Sequence, residues 1–468
     1  MQEKPRVGLI LMRANWPDCV EARAVLDGVE VDTRSILDRL NQHFDILEPW
    51  IVNSQDSLHT CQEALRESDL DLVLLAFQTG AEDIYLLSLL QAIGTRPLLL
   101  WCYAAWGRLP SAISASEVMR ISGPVGTLGA LGTLRNLDVP FLFTFGAAED
   151  PRLIHDLVVA GRAALVRKAL RSARFGFVPS RNDRMQSTFV DEYRLMTDFG
   201  PRVLFISVNE YKRVADAVAQ VRVDAYVERL TQAFTVKKVV PEALARAARA
   251  ALGLADLAQS MDLSLTAIND DSIDLKRTFG SSPSLYPDTT VLTDGRLFQP
   301  ECDLGAATAN FIMHFLTGTA TMFLELWFWD EARNIFIGGH AGMQNPGLGD
   351  GGPVCVVPDD AFCLEPTLQG GAQFQFAARA GRVTLFQLRS TPKGWQAIAA
   401  TGVCLDSTPA VDDYPHAIIR MDATVAHFLN HLAEIGATQH WIMAYGSVLH
   451  ELEAFCQMEK IPLEILTY

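Results

Sequence analysis

Along the first third of the chain, short apolar runs alternate with longer stretches in which apolar and polar positions recur at helical spacing. Val7 to Leu11, Leu70 to Phe77 and Pro97 to Trp101 are unbroken apolar runs that predict strands buried on both faces. Ala22 to Leu40 and Ile84 to Ile93 predict helices between them, with a further strand at Phe44 to Leu47. Such alternation predicts a parallel sheet covered by helices, with the loops at the carboxyl ends of its strands as the binding edge. Arg13, Trp16, Gln78 and Trp106 fall on those loops. A second unit of the same kind starts near Ala173, with strands at Arg174 to Val178, Arg202 to Ser207 and Leu263 to Ile268. Its helices are Tyr211 to Val221 and the Ala-rich Pro241 to Met261, and an irregular polar stretch runs from Asn269 to Pro287. Arg181, Asp183 and Arg184 read as solvated loop positions. From Thr319 onward the pattern turns antiparallel, with short strands at Phe374 to Ala378, Arg382 to Leu388 and Trp395 to Gly402 separated by Gly- or Pro-containing turns. A helix at Thr424 to Ile435, a strand opening at Gln439-His440-Trp441, a helix at Val448 to Met458 and a strand at Leu463 to Leu466 close the chain. The expected architecture is therefore α/β. Two Rossmann-like α/β domains with parallel sheets, residues 1–172 and 173–318, precede a mainly antiparallel β-barrel-like domain, residues 319–468.

The stretch from Gln299 to His340 concentrates the chemistry. Glu301 follows a proline and precedes a predicted helix, Leu304 to Leu316, capped by Asp303, whose N-terminal dipole favours anions. Met322 to Trp329 reads as a strand buried on both faces, with Phe323, Glu325, Trp327 and Trp329 on one side. Asp330 to Asn334 forms the turn and Ile335 to His340 the return strand. A turn centred between Ala332 and Arg333 sets opposite one another residues whose numbers sum to 665, which makes Glu325 and His340 cross-strand partners about 5 Å apart at Cβ.

A carboxylate and an imidazole in an apolar setting need a compensating partner. A buried Glu–His hydrogen bond of structural value alone would satisfy the pair. A metal site would need further ligands, and Glu301 is the nearest candidate. Two carboxylates with an imidazole suit a hard or borderline divalent ion such as Mn²⁺ or Mg²⁺ better than structural zinc.

Composition narrows the setting. A chain of 468 residues is too long for one core. Its formal charge of −16 argues against a nucleic-acid surface and favours attraction of cations. The 8 cysteines include no CxxC pair and read as reduced and mostly buried, in a cytoplasmic protein. The apolar run near the N-terminus is too short for a signal peptide, and no stretch reaches membrane-spanning length, so no membrane association is expected. Glycines at 123, 126, 129 and 132 do not follow the first strand, as a dinucleotide fingerprint would. They predict a helix packed closely against a neighbour instead.

Glu-x-Asp before a helix, an acid 24 positions later on an aromatic strand, Gly-Gly-His at the end of the next strand and a late Gln-His-Trp resemble the L-fucose isomerase and L-arabinose isomerase superfamily. By acid spacing the likeness is greater to the fucose isomerase branch. The resemblance implies a metal-dependent aldose–ketose isomerase acting on a pentose or 6-deoxyhexose. It implies Glu301 and Glu325 as metal ligands and proton shuttle, His340 and His440 as further ligands, and Mn²⁺, or another divalent ion such as Mg²⁺ or Co²⁺, as cofactor. Gln439 would bond a sugar hydroxyl, and the aromatic wall of Trp327 and Trp329 would pack on sugar C–H faces or simply in the core. It further implies a homo-oligomer, trimer or hexamer, with sites at subunit boundaries; the first-strand loop carrying Arg13 and Trp16 is the candidate for a contribution across such a boundary. The sequence departs from the pattern at Cys302, where arabinose isomerases carry glycine, and at Glu325, where fucose isomerases tend to carry Asp. A non-catalytic sugar-binding protein, or an epimerase or lyase using the same ligands, remains open.

Overall fold

The computed structural model describes residues 4–15, 20–288, 295–350, 352–359, 368, 370–406 and 409–466. The chain divides into two compact units, residues 1–168 with 450–460, and residues 169–449 with 461–468.

The first unit is built on a parallel sheet of β1 (Arg6–Met12), β2 (Asp45–Ile46), β3 (Trp50–Val52), β4 (Leu72–Phe77), β5 (Leu98–Tyr103) and β6 (Leu142–Gly146). The strand order is β2-β1-β4-β5-β6, with β3 also on β1, and every pairing is parallel. Ile10, Met12, Phe77, Leu89 and Leu134 join strands and helices in one core. The glycine-bearing segment is a helix, Gly123–Asn136. A Cβ at Gly126 would collide with the Phe77 ring and the Ala81 carbonyl, whereas Gly129 and Gly132 face open space. Steps of three residues rotate by about 60° on a helix of 3.6 residues per turn. Only the first two glycines therefore meet the sheet. Helix Leu449–Met458 also belongs to this unit, held by ion pairs Arg162–Glu451 and Arg167–Glu459.

The second unit holds a parallel sheet and a barrel. β7 (Arg174–Val178), β8 (Arg202–Phe205), β10 (Leu265–Ile268) and β11 (Leu297–Pro300) pair in the order β11-β10-β7-β8. β9 (Thr235–Val236) pairs with the β14 (Cys355–Asp359)/β15 (Gly371–Gln375) ribbon. The predicted helix over 211–221 is two helices, Val208–Asp216 and Gln220–Ala233, and the polar stretch after β10 contains a helix, Ile273–Phe279, followed by buried chain at 281–288. β12 (Thr321–Asp330), β13 (Ile335–Gly339), β16 (Gly381–Thr391), β17 (Gly394–Cys404), β18 (His416–Met421) and β19 (Trp441–Tyr445) are linked in the order β16-β19-β12-β13-β18-β17. The β16–β17 pairing closes them into a six-stranded antiparallel barrel. β20 (Leu463–Leu466) lies parallel to β17. The architecture expected from the sequence, parallel α/β sheets followed by an antiparallel barrel, is the one observed.

Two local expectations for β12 need correcting. Its register against β13 follows the predicted sum from Asp330↔Ile335 to Phe328↔Ile337, then shifts by one residue, so that Glu325 lies opposite Gly339 and not His340. The extra residue is a β-bulge, which leaves one position of one strand unpaired. Nor is the strand buried on both faces throughout. Met322 to Leu324 are buried, but the strand leaves β19 after Leu324, and Phe328 and Trp329 are 62% and 48% exposed. Among the described residues no helix is long and apolar enough to cross a membrane, and the described cysteines are all free; Cys19 and Cys363 lie outside the described residues.

Candidate metal centre

Three parallel strands of the second unit deliver polar residues just past their carboxyl ends, the customary binding edge of such sheets. Asn182 follows β7, Asp270 follows β10 and Glu301 follows β11. Glu301 and Cys302 both have left-handed backbone, φ 72° and 48°. Two consecutive non-glycine residues in that region are strained, a condition that clusters at functional sites. The turn places the Glu301 carboxylate beside the helix Leu304–Thr317, whose cap Asp303 accepts from the Gly305 and Ala306 amides at 2.8 and 3.0 Å.

The barrel supplies the rest from three adjacent strands. His340 immediately follows β13, Glu325 lies on β12 and His440 immediately precedes β19. The β12/β19 ladder runs to Leu324↔Trp441, so the next step sets Glu325 beside His440, and Glu325 Oε1 is 3.7 Å from His440 Nε2. Glu301 lies 3.5 Å from His340 Nε2 through one oxygen and 3.8 Å from His440 Nε2 through the other. One ligand atom each from Glu301, His340 and His440, all buried, lie within 4.8 Å of one another. Phe323 packs against both imidazoles, with ring centroids 4.8 and 4.6 Å away.

The histidines are oriented, not free. His440 Nδ1 is 2.9 Å from Asp303 Oδ2, which leaves Nε2 as a buried nitrogen with no hydrogen-bond partner among the described residues. An orphaned nitrogen aimed at a carboxylate and a second imidazole fits a metal ligand whose other nitrogen is held by an acid. Burial alone would raise the Glu301 carboxyl, but His340, His440 and Asn182 together hold it below the ordinary range. Burial would lower His340, yet Glu301, Asp270 and Glu325 push it up to about 9. Asp270 is raised by burial and by the Glu301 charge, and its Oδ1 accepts the Glu301 amide at 3.2 Å.

The centre opens into a cavity of about 580 Å³, whose lining includes Glu301, Glu325, His340 and Trp327 and also Arg184, Asp271, Lys276 and Tyr414. All four ligand candidates read from the sequence thus meet in one place, Glu325 at its more exposed edge. Of the substrate-contact candidates, Trp327 lines the cavity. Gln439 is not among the lining residues, and its oxygen accepts from Ser187 at 3.0 Å. Arg13 is buried in the first unit, donating to Gln78 and Thr33 and paired with Glu30, so its guanidinium is already engaged; Trp16 lies outside the described residues. Asn182, Asp270 and the second role of Asp303 were missed by sequence reasoning, although the strand-end rule could have found the first two. Arg184, expected in a solvated loop, lines the cavity.

Parallel sheet edge, closed barrel and a buried Glu–His–His group define a protein able to hold a divalent ion beside an open cavity. The chain is similar to two proteins named sulfoquinovose isomerase, from Priestia aryabhattai and Priestia megaterium (strain ATCC 12872 / QMB1551). It is 22% identical to each over 424 residues, which cover 89% of this chain and 90% of the relative. No protein-family model matches.

Proposed function

We propose that the protein is an aldose–ketose isomerase working through an enediolate. The observation that carries this reading is the convergence of Glu301, His340 and His440 beside a cavity whose wall holds a second carboxylate, Glu325. Similarity to two sugar isomerases along most of the chain supports the reaction class. Glu301, His340 and His440 would hold a divalent ion, Mn²⁺ or another such as Mg²⁺ or Co²⁺, which when bound supplies Lewis-acid stabilisation of developing negative charge.

Isomerisation moves one proton between C1 and C2 and another between O1 and O2. The proton work falls to Glu301 and Glu325 jointly, each positioned carboxylate contributing about 10² to 10⁴-fold. Glu301, kept ionised by its histidines, accepts protons; Glu325, at the cavity edge, exchanges them with the open side. Trp327 shields the reacting end from water and offers its face to sugar C–H groups. A trimeric or hexameric assembly belongs to the same proposal.

The sequence resemblance favours a neutral pentose or 6-deoxyhexose, whereas the relatives' name favours sulfoquinovose. Incubating pentoses, 6-deoxyhexoses and sulfoquinovose with Mn²⁺ in D₂O, then with chelator, tests the reading by NMR. Deuterium at C1 of a ketose product, or at C2 of the re-formed aldose, lost with chelator, is expected. Inversion without ketose would mean an epimerase, and binding without turnover a sugar-binding protein. Glu325→Gln is expected to lower kcat by at least about 10²-fold with the melting temperature unchanged; near wild-type turnover would remove Glu325 from the proton path.

A further inference from the structure

We propose that Lys276 and Arg184 form an anion-binding subsite of this cavity, and that the substrate is a sugar carrying a terminal oxyanion, a sulfonate or phosphate ester, away from its reacting carbons. The inference rests on the isomerase reading of the metal centre.

Both cations line the same cavity as Glu301, Glu325 and His340, together with Asp271. Lys276 is only 7% exposed. Among the described residues Asp271 is its one ion-pair partner within 4 Å, at 3.5 Å, and Arg184 reaches the other oxygen of the same carboxylate at 3.4 Å. Charge-assisted hydrogen bonds normally close to about 2.7–2.9 Å. Two cations therefore share one acid loosely, and the group keeps a positive charge in a place where burying an ammonium is costly unless it is paired. Of the cavity's other acids, Asp270 accepts the Glu301 amide, Asp359 accepts the Ser284 hydroxyl, and Glu301 and Glu325 lie against the histidines of the metal centre.

Arg184, Asp271 and Lys276 also line an adjoining cavity of about 540 Å³, beside Arg181, Asn182 and Ser180. They thus stand on the boundary common to both chambers. Neither cation pairs with Glu301 or Glu325 within 4 Å among the described residues, so an anion can bind the two cations without breaking an ion pair to either glutamate. A neutral pentose has no use for such a pair. A sulfonate or phosphate offers three oxygens to it, and the planar Arg184 fork suits two of them.

The experiment compares glucose, sulfoquinovose and glucose 6-phosphate with the full-length protein. It reads ketose formation with Mn²⁺ and, separately, binding by calorimetry in chelator. Wild type is expected to prefer one or both anionic sugars over glucose by at least 100-fold in kcat/KM, and the better of the two tells sulfonate from phosphate. Lys276→Gln and Arg184→Gln should each reduce that preference at least tenfold, chiefly through KM, while Lys276→Arg restores most of it. Arg184 is 63% exposed, so its variant tests the subsite even if Lys276→Gln folds poorly. Equal efficiency on glucose and both anionic sugars, or a preference unmoved by Arg184→Gln, would overturn the subsite and leave the isomerase reading standing. Anionic-sugar binding that Arg184→Gln weakens, with no ketose from any sugar, would uphold the subsite and overturn the isomerase reading.

Discussion

Asp303 does two jobs with one carboxylate. Oδ1 accepts from two helix amides, while Oδ2 holds His440 Nδ1. A hydrogen bond from Nδ1–H to an acid fixes the tautomer that leaves the Nε2 lone pair free for a ligand. Asp303→Asn keeps an oxygen for the cap but removes the charge on the imidazole. Calorimetric titration with Mn²⁺ should show affinity about 10 to 100-fold weaker, with little change in melting. Asp303→Ala should lose a further ~1 kcal/mol of stability with the cap. Unchanged Mn²⁺ affinity in both variants would mean that Asp303 is only a cap. The cap was legible from the sequence because it depends on neighbours in the chain; the imidazole contact spans 137 positions and left no local pattern. Asp270 and Asn182 were hidden for a related reason, since each is one polar residue in a polar loop and gains meaning only when parallel strands align their ends.

At the scale of elements, the hairpin carries the most instructive discrepancy. Turn chemistry fixes register near the turn, and there the sequence-derived pairing holds, from Asp330↔Ile335 to Phe328↔Ile337. The bulge beyond it has no compositional mark in a run of aromatic residues. Its effect is to hand Glu325 to His440 across the β12/β19 ladder and to leave His340 one step past Gly339. Gly339 is what makes the crowding tolerable: a Cβ there would overlap the Pro415 carbonyl oxygen and the Trp327 ring at 2.6 Å. Gly339→Ala must push β13 away from Trp327 and β18. Denaturant titration should show a loss of about 1–3 kcal/mol, typical of overpacking, and Mn²⁺ affinity should fall with it because His340 is the next residue. A variant as stable as wild type that binds Mn²⁺ equally well would mean that β13 has slack which the backbone spacing does not suggest.

Across the whole second unit, ligands come from two kinds of structure. The parallel sheet provides Glu301 and the barrel provides His340 and His440, so a bound ion would tie one to the other. Free energy of ligand binding adds to stability as RT ln(1 + [L]/Kd), about 2.7 kcal/mol at a hundredfold excess over Kd. Chelator should lower the melting temperature accordingly, and Glu301→Ala should abolish the difference between Mn²⁺ and chelator. The metal-free protein should also show a stability maximum near pH 6.5. Burial holds His314 and His416 below the ordinary 6.5. His416 shows why: Nδ1 faces the Tyr414 carbonyl at 3.0 Å while Nε2 accepts the Ala410 amide at 3.0 Å, an arrangement only neutral imidazole can satisfy. Below pH 6.5 the unfolded chain takes up protons that these folded imidazoles refuse, so stability falls with falling pH. Asp270 acts with the opposite sign: burial and the Glu301 charge hold its carboxyl up at about 8, so its contribution is lost as pH rises through that value, and His340 acts in the same direction. Its folded value, about 9, lies above the unfolded 6.5, so its contribution is complete below 6.5 and is lost as pH rises through 9. Urea denaturation in chelator from pH 5 to 9 should trace both limbs, with His340→Gln flattening the alkaline limb and His416→Gln reducing the slope of the acid one. A curve that rises steadily to pH 9 would mean that the Glu301–His340 contact does not hold the imidazolium in the metal-free fold.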